Sequence, residues 1–562
     1  MLWRRRYRQD PEIAPDEIFL DASNAPDFDR ARFEGRLEKP LSHETFFYLT
    51  AMLVLLFSVL IIRTWDLEII NGAVYAALSA HNSLEAKTLF APRGVITDVR
   101  GVVVAENGVQ EDGSVLRRYP FPSLGQVIGY VSYPKKDAKG IYYDTSETGM
   151  MGLEAEYDAH LAGENGQLLT ETDALGNVRS QGIIVSAKGG KPLALSIDVH
   201  LQTLFASAVA DVAASRQFIA GAGVIMDVRT GAVRAMVSYP SYDPNVLSNG
   251  GPADVIAGYR TKPGRPFLDH AVQGVYAPGS VVKPLIAAGA LTDGLITPDT
   301  VIDDPGFISV PDPYHPGKEF IYKGWRALGP MDVRNAIAWS SDIFFYTVGG
   351  GFGDHKGLGI DRLAYWYEQF GLGVSTGVNL SGEASGLVPT PAWKEKTFDE
   401  PWYLGDTYFT AIGQYSVQVT PLQMARAIAA IANGGKLFRP TLLREQAPRF
   451  ITVPAAPSAL SVVREGMRET VSVLASALNF SYVKIAAKTG TAQTGSRNQY
   501  DNSWVVGFFP YDDPQYAFAV VLERGPQGSG SQAVNVMRDL FNALYAENSP
   551  YVGGTTALTD TL

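Results

Sequence analysis

The stretch GVIMDVRTGAVRAMVSYP, Gly223–Pro240, sets the architecture. Val224, Ile225 and Met226 make one short apolar run and Val233 to Val237 another. Arg229-Thr230-Gly231 between them has turn chemistry, so the segment reads as a β-hairpin. Helical periodicity follows at Val281–Leu291, Val333–Val348, Pro421–Asn433 and Val462–Leu478, the third closed by Asn433-Gly434-Gly435. Strand patterns return at Val483–Thr491, Trp504–Phe509 and Ala517–Glu523, and a last helix is expected over about Ser531–Glu547. Two early strands, a block of helices, then strands and a closing helix predict an α+β domain with an antiparallel sheet flanked by helices.

Upstream, the chain from Arg63 to about Pro192 breaks short apolar runs with Gly and Pro and carries helical stretches such as Gly72–Ala80, which suits an α+β spacer. Before it, Thr45–Ile62 (TFFYLTAMLVLLFSVLII) is free of charge, and about 18 such residues span the hydrocarbon core. Arg4, Arg5, Arg6, Arg8, Arg30, Arg32, Arg36 and Lys39 precede this run, and no Lys or Arg follows Arg63 closely. That asymmetry places the N-terminus in the cytoplasm and everything after Arg63 outside, on a single retained anchor. A cleaved signal peptide fits poorly, because the run starts far from Met1 and no small-residue cleavage site stands directly behind it. The expected divisions are therefore a largely disordered arm at 1–44, a transmembrane helix at 45–62, a pedestal at 63–192, a main domain at 193–547 and a flexible tail at 548–562.

With 562 residues, 46% of them hydrophobic, the chain is too long for one ordinary domain. Its net charge of -11 and the lack of a long basic run outside the N-terminus argue against a nucleic-acid partner. No cysteine is present, which excludes disulfides and thiolate catalysis. Seven scattered histidines give no metal-ligand spacing, so neither metal nor cofactor is expected.

Three short motifs carry chemistry. Tyr276-Ala-Pro-Gly-Ser280-Val-Val-Lys283-Pro284 contains S-x-x-K, and a serine and lysine three apart share a helix face, so each is expected to touch the other. Pro284 has no N–H and clashes inside a helix, so the helix must begin close to Ser280. There the unsatisfied N–H groups and the macrodipole favour an anion, which a serine alkoxide and a tetrahedral oxyanion both are. Lys283 is a base only when neutral, and bringing its pKa from about 10.4 to about 7 costs roughly 4–5 kcal/mol, which burial and a neighbouring cation can supply. Alone, S-x-x-K arises by chance on the order of once in a chain of this size. Ser340-Ser341-Asp342 follows, which by itself reads equally as a surface turn or an N-cap. Lys488-Thr489-Gly490-Thr491 ends a strand pattern, and Gly490 lets another backbone come close, so a peptide can align there as an added strand. The three in this order are far less accidental than any one of them.

S-x-x-K, S-x-D and K-T-G together resemble the signature of penicillin-binding proteins and class A β-lactamases. The resemblance to class B penicillin-binding proteins runs from Trp65 to about Tyr545. Pro92-Arg93-Gly94-Val95-Ile96-Thr97-Asp98-Val99-Arg100-Gly101 resembles their spacer signature, and Gly152-Leu153-Glu154 with Tyr157 a second spacer element. Ser196-Ile197-Asp198 with Leu201-Gln202, Gly405-Asp406-Thr407, Ile412-Gly413-Gln414 and Thr420-Pro421-Leu422-Gln423 resemble blocks of the transpeptidase domain, in family order. Asp342, where division-type enzymes usually carry Asn, is similar to the elongation-type branch. Two departures stand out: Asp269-His270 replaces the usual Asn-Arg ahead of the nucleophile, and Tyr415 stands where Gly is usual.

The resemblance implies a penicillin-binding, β-lactamase-like fold and a serine transpeptidase that cross-links peptidoglycan stem peptides and is acylated by β-lactams. Catalysis would rest on Ser280, Lys283, Ser340, Asp342 and Lys488, and substrate binding on Thr489, Gly490 and Thr491, with an oxyanion hole from the N–H groups of Ser280 and Thr491. Implied partners are the membrane, a SEDS-type glycosyltransferase and other elongation-complex proteins. An ionised Asp342 near Lys283 raises the pKa that catalysis needs lowered, so a positioning role is expected for it, with its charge spread over hydrogen bonds. A division-type transpeptidase, a β-lactamase, and an anchored sensor or scaffold without turnover are the rival readings. A β-lactamase rarely needs a spacer and retained anchor, and intact Ser280, Lys283, Ser340, Lys488 and Thr489 argue against lapsed catalysis.

Overall fold

Val224 and Met236 face each other across the expected hairpin in the computed structural model, which describes residues 43–73, 75, 84–109, 115–138, 142–172, 178–312 and 315–553. Strand β1 (Ala220–Asp227) pairs with β2 (Val233–Tyr239), with a bulge between Ile225 and Met226. The late strands are β3 (Ala486–Thr494), β4 (Tyr500–Phe509) and β5 (Tyr516–Pro526). Together they form one antiparallel sheet in the order β2-β1-β5-β4-β3, so the first and last strands of the domain lie side by side and β3 is an edge.

The described residues divide into two bodies, one within 43–85 and 170–181, the other within 86–169 and 182–553. The first carries helix α1 (His43–Trp65), which has no buried residue, and the apolar span continues to Ile70. The expected arm lies outside the described residues up to 42, as does most of the expected helical stretch Gly72–Ala80.

In the second body the sheet is enclosed by α2 (Val199–Ser215), α3 (Lys283–Thr292), α4 (Val333–Ala338), α5 (Asp342–Gly350), α6 (Pro421–Ala432), α7 (Pro457–Val473) and α8 (Ala533–Ala546). Period-two alternation sorts the strand residues onto two faces. Ala517, Ala519 and Val521 of β5 join the core that holds α3, α5 and α6, whereas Phe518, Val520 and Leu522 join the core under α2 and α8. Both faces are apolar because both are covered.

Two boundaries differ from the sequence pattern. The helix expected over Val333–Val348 is broken at Trp339–Ser341 into α4 and α5, and Ser340 takes a left-handed φ of 59°. Beyond α8, Tyr551 and Val552 are buried, so packed structure runs past 547; residues 554–562 lie outside the described set.

The spacer motifs form a buried polar lock. Glu154, with its side chain fully enclosed, accepts from Arg93 at 2.6 Å and from Arg117 at 2.8 Å. Asp98 accepts the Val199 N–H at 3.1 Å and Arg100 reaches Asp198, the N-cap of α2, at 2.5 Å. Gln202 in α2 both donates to and accepts from the Met236 backbone at 2.8 Å, which satisfies the outer edge of β2.

Candidate active site

Ser280 sits in a single turn of 3-10 helix, Gly279–Val282, that feeds into α3, with Pro284 in the first turn of α3 where its missing N–H costs nothing. This turn lies against β3. A Cβ added at Gly490 would come 2.9 Å from both the Pro278 carbonyl and Val281 Cγ1, so only glycine admits the approach. Gly279, with φ of 58°, packs as closely on the Thr491 carbonyl. The Trp504 indole of β4 donates to the Ala277 carbonyl at 3.0 Å and holds the loop ahead of the nucleophile.

Lys283 is fully buried and uses all three of its donors: the Ser340 carbonyl at 2.8 Å, Ser340 Oγ at 3.3 Å and Asp342 Oδ1 at 2.6 Å. The break between α4 and α5 makes this possible. The left-handed Ser340 turns its carbonyl and hydroxyl toward one amine, and Ser341, one residue on, caps α5 by accepting the Phe344 N–H at 3.0 Å. Ser341 also donates to the buried Asp304 at 2.5 Å. Asp342 occupies the first turn of α5, where the helix dipole favours a carboxylate. Among the described residues its side chain is bonded to Lys283 alone, so its charge is concentrated on that amine rather than spread as expected.

Burial pulls the Lys283 pKa below the ordinary lysine value, while the charge and hydrogen bond of Asp342 push back. Lys488, also fully buried, donates to the Thr489 carbonyl at 2.9 Å and has no carboxylate bonded to it. Burial first, and the Lys283 charge second, drive its pKa well below the usual value. Of the two amines, Lys283 is the one bonded to a carboxylate.

The Ser280 hydroxyl is half-buried and has no hydrogen-bond partner among the described residues, so the expected direct touch between Ser280 and Lys283 is replaced by Lys283 bonding Ser340 and Asp342. Ser340, Asp342, Lys283 and Lys488 are brought together; Thr489, Gly490 and Thr491 lie on the edge strand β3, the first two buried and Thr491 half-buried. Gln414 donates to the Thr491 carbonyl at 3.4 Å, and a strand residue's N–H and C=O point to the same edge, so the Thr491 N–H faces outward as well. Gln414 was given no role by its sequence; only its place in the Ile412-Gly413-Gln414 block marked it.

Comparisons with known proteins give the family. The penicillin-binding protein transpeptidase domain matches residues 221–542, and the penicillin-binding protein dimerisation domain matches 107–195. Peptidoglycan D,D-transpeptidase MrdA of Escherichia coli (strain K12) is 34% identical over 475 residues, covering 77% of this chain and 72% of that protein. A solved structure on the structural coordination of polymerization and crosslinking by a peptidoglycan synthase complex is 29% identical, with a TM-score of 0.70, covering 92% of this chain and 99% of that one. Penicillin-binding protein 2 from Helicobacter pylori, solved in complex with MreC, is 25% identical with a TM-score of 0.68, covering 83% and 99%. The chain belongs to the penicillin-binding protein transpeptidase family. Within it the likeness is to penicillin-binding protein 2.

Proposed function

We propose that this chain is an elongation-type peptidoglycan D,D-transpeptidase that works through an acyl-enzyme on Ser280. The observation that carries the reading is the convergence of the fully buried Lys283 with Ser340 and Asp342 one helical turn from Ser280, whose hydroxyl has no hydrogen-bond partner among the described residues, with the second fully buried amine, Lys488, on the neighbouring strand.

Lys283, once deprotonated, takes the proton of Ser280 as its oxygen attacks the penultimate D-alanine carbonyl of a stem peptide. The N–H groups of Ser280, at the start of its turn, and of Thr491, on the open strand edge, hold the oxyanion. Collapse expels the terminal D-alanine, whose amine receives a proton through Ser340. An amine on a second stem peptide then attacks the ester, forms the cross-link and returns the proton to Ser280. Asp342 positions Lys283. Thr489 and Thr491 grip the terminal carboxylate of the donor, and arrival of that carboxylate beside Lys488 favours the ammonium form again, so its charge comes with the substrate.

The anchor helix and the positive N-terminal flank support a single span with the N-terminus in the cytoplasm and the catalytic body outside. The expected divisions at 44 and 192 are kept as the domain plan, while the helix runs past 62 to Trp65 and packed chain runs past 547. Because similar chains were solved within a peptidoglycan synthase complex and with MreC, we assign this chain a SEDS-type glycosyltransferase and elongation-complex proteins as partners.

Labelled penicillin tests the reading. The full-length protein in detergent is expected to carry one adduct, located by peptide mass on Ser280, and Ser280→Ala to carry none. A label on another residue, or a folded protein that takes no label, would overturn it.

A further inference from the structure

Past Thr491, β3 borders a polar cavity of about 430 Å³ whose lining includes Arg265, Tyr415, Gln493, Asn498, Glu523 and Arg524. Eight non-glycine residues among those described have a left-handed φ, and four line this one cavity: Arg265 at 50°, Tyr415 at 63°, Asn498 at 52° and Arg524 at 53°. A fifth is Ser340 of the catalytic cluster. Such conformations cost on the order of 1–3 kcal/mol each and persist where the surroundings hold them for a purpose. Tyr415 shows the point most directly, since it takes a strained conformation at a position where the resembled family usually has glycine.

The strain aims specific groups. The β4–β5 register shifts between Asp501 and Ser503, and the Asn502 side chain accepts the Arg524 N–H at 2.9 Å, so a bulge turns Arg524 out of its ladder. Charge is then unequal. Arg265 pairs with Glu523 at 3.3 Å, and the buried His270 lies 3.4 Å from the same carboxylate. Arg524 comes no closer than 3.9 Å to Glu523. Among the described residues Arg524 therefore makes no side-chain hydrogen bond and only a long ion pair, and the cavity around it carries amide side chains.

Its place along the strand identifies what reaches it. This step rests on the transpeptidase reading above. With the donor's terminal carboxylate at Thr489 and its reacting carbonyl at Thr491, the rest of the stem peptide runs along β3 toward Gln493. Two strand residues cover about 7 Å, which brings the residue ahead of the acylated D-alanine to the mouth of the cavity. We propose that this cavity seats a carboxylate on the donor stem peptide, carried by the side chain of the residue ahead of the two D-alanines, with Arg524 as the group that grips it.

The test uses the full chain in detergent, with active sites counted by labelled penicillin, and two synthetic pentapeptide donors ending in D-alanyl-D-alanine. The donors differ only in whether the side-chain carboxylate ahead of the D-alanines is free or amidated, and release of D-alanine is followed. The parent is expected to favour the free acid by about tenfold or more in kcat/KM. Arg524→Gln should bring that ratio close to one, Arg524→Lys should keep part of it, and Gln493→Glu should turn it toward the amide. A parent that does not distinguish the donors, or an Arg524→Gln variant that loses equally on both, overturns the assignment. A parent that takes no penicillin overturns instead the transpeptidase reading beneath it.

Discussion

Lys283 and Asp342 form a contact that both helps and hinders. At 2.6 Å the carboxylate positions the amine, yet it holds the proton that the amine must lose before acting as a base. Replacing Asp342 by Asn removes the charge that most raises the Lys283 pKa and leaves burial opposed only by the more distant Asp304. The acidic limb of the pH profile for penicillin acylation is therefore expected to move to lower pH, whatever happens to the plateau. A limb that stays in place means Asp342 does not hold that proton. Lys488 offers a second test, in stability. Its folded pKa lies well below the ordinary 10.5, so between the two values the unfolded chain binds more protons and stability rises with pH. Lys488→Met is expected to abolish the proposed catalysis but to free the fold from neutralising a buried amine. Calorimetry should show a higher Tm near neutral pH, by about 2–4 °C for each kcal/mol relieved, and the gain should shrink as pH approaches 10.5.

At the scale of elements, the join between α4 and α5 decides the site. The apolar periodicity of Val333–Val348 passes straight through it because both halves face one core: Ile337 lies before the break, Ile343 and Phe344 after it, and all three are buried. The periodicity does not mark the break; only the N-cap reading of Ser340-Ser341-Asp342 pointed to it, and Ser341 is the N-cap of α5. It is held by Lys283, 57 positions earlier in the chain, and by the two bonds of Ser341. Ser341→Ala removes a cap and leaves buried Asp304 without its hydroxyl partner, for a cost of about 2–4 kcal/mol. We expect a lowered denaturation midpoint together with slowed acylation, because Ser340 and Asp342 flank the lost cap. Full acylation rate in a destabilised protein would show that the cap does not position the site. The β3 edge, by contrast, was legible: Gly490 inside a strand pattern predicts a close backbone approach, and the Ser280 turn is what approaches.

For the molecule as a whole, the spacer motifs work as a lock of buried charges rather than as chemistry. Glu154 is enclosed between Arg93 and Arg117, and breaking a buried pair by removing one partner costs about 3–5 kcal/mol, since an uncompensated charge remains inside. Glu154→Gln is expected to lower the unfolding midpoint accordingly, with penicillin still labelling the fraction that stays folded. A midpoint equal to that of the parent would mean the lock contributes nothing net. The first and last strands of the catalytic domain, β1 and β5, pair along eight positions from Ala220 opposite Glu523 to Asp227 opposite Tyr516. That pairing closes a loop of almost the whole domain.

The sequence by itself determined the apolar N-terminal span, the α+β layering and the three motifs, because each rests on short-range chemistry: an uncharged apolar run, a period of two or 3.6, a proline that forbids helix before it. Only the tertiary structure decided that Lys283 bonds Ser340 and Asp342 instead of Ser280, that Lys488 lacks a carboxylate to keep its proton, and that Gln414 and Arg524 border the path along β3. Those outcomes depend on burial and on partners far apart in the chain, and neither quantity is written in any local stretch of residues.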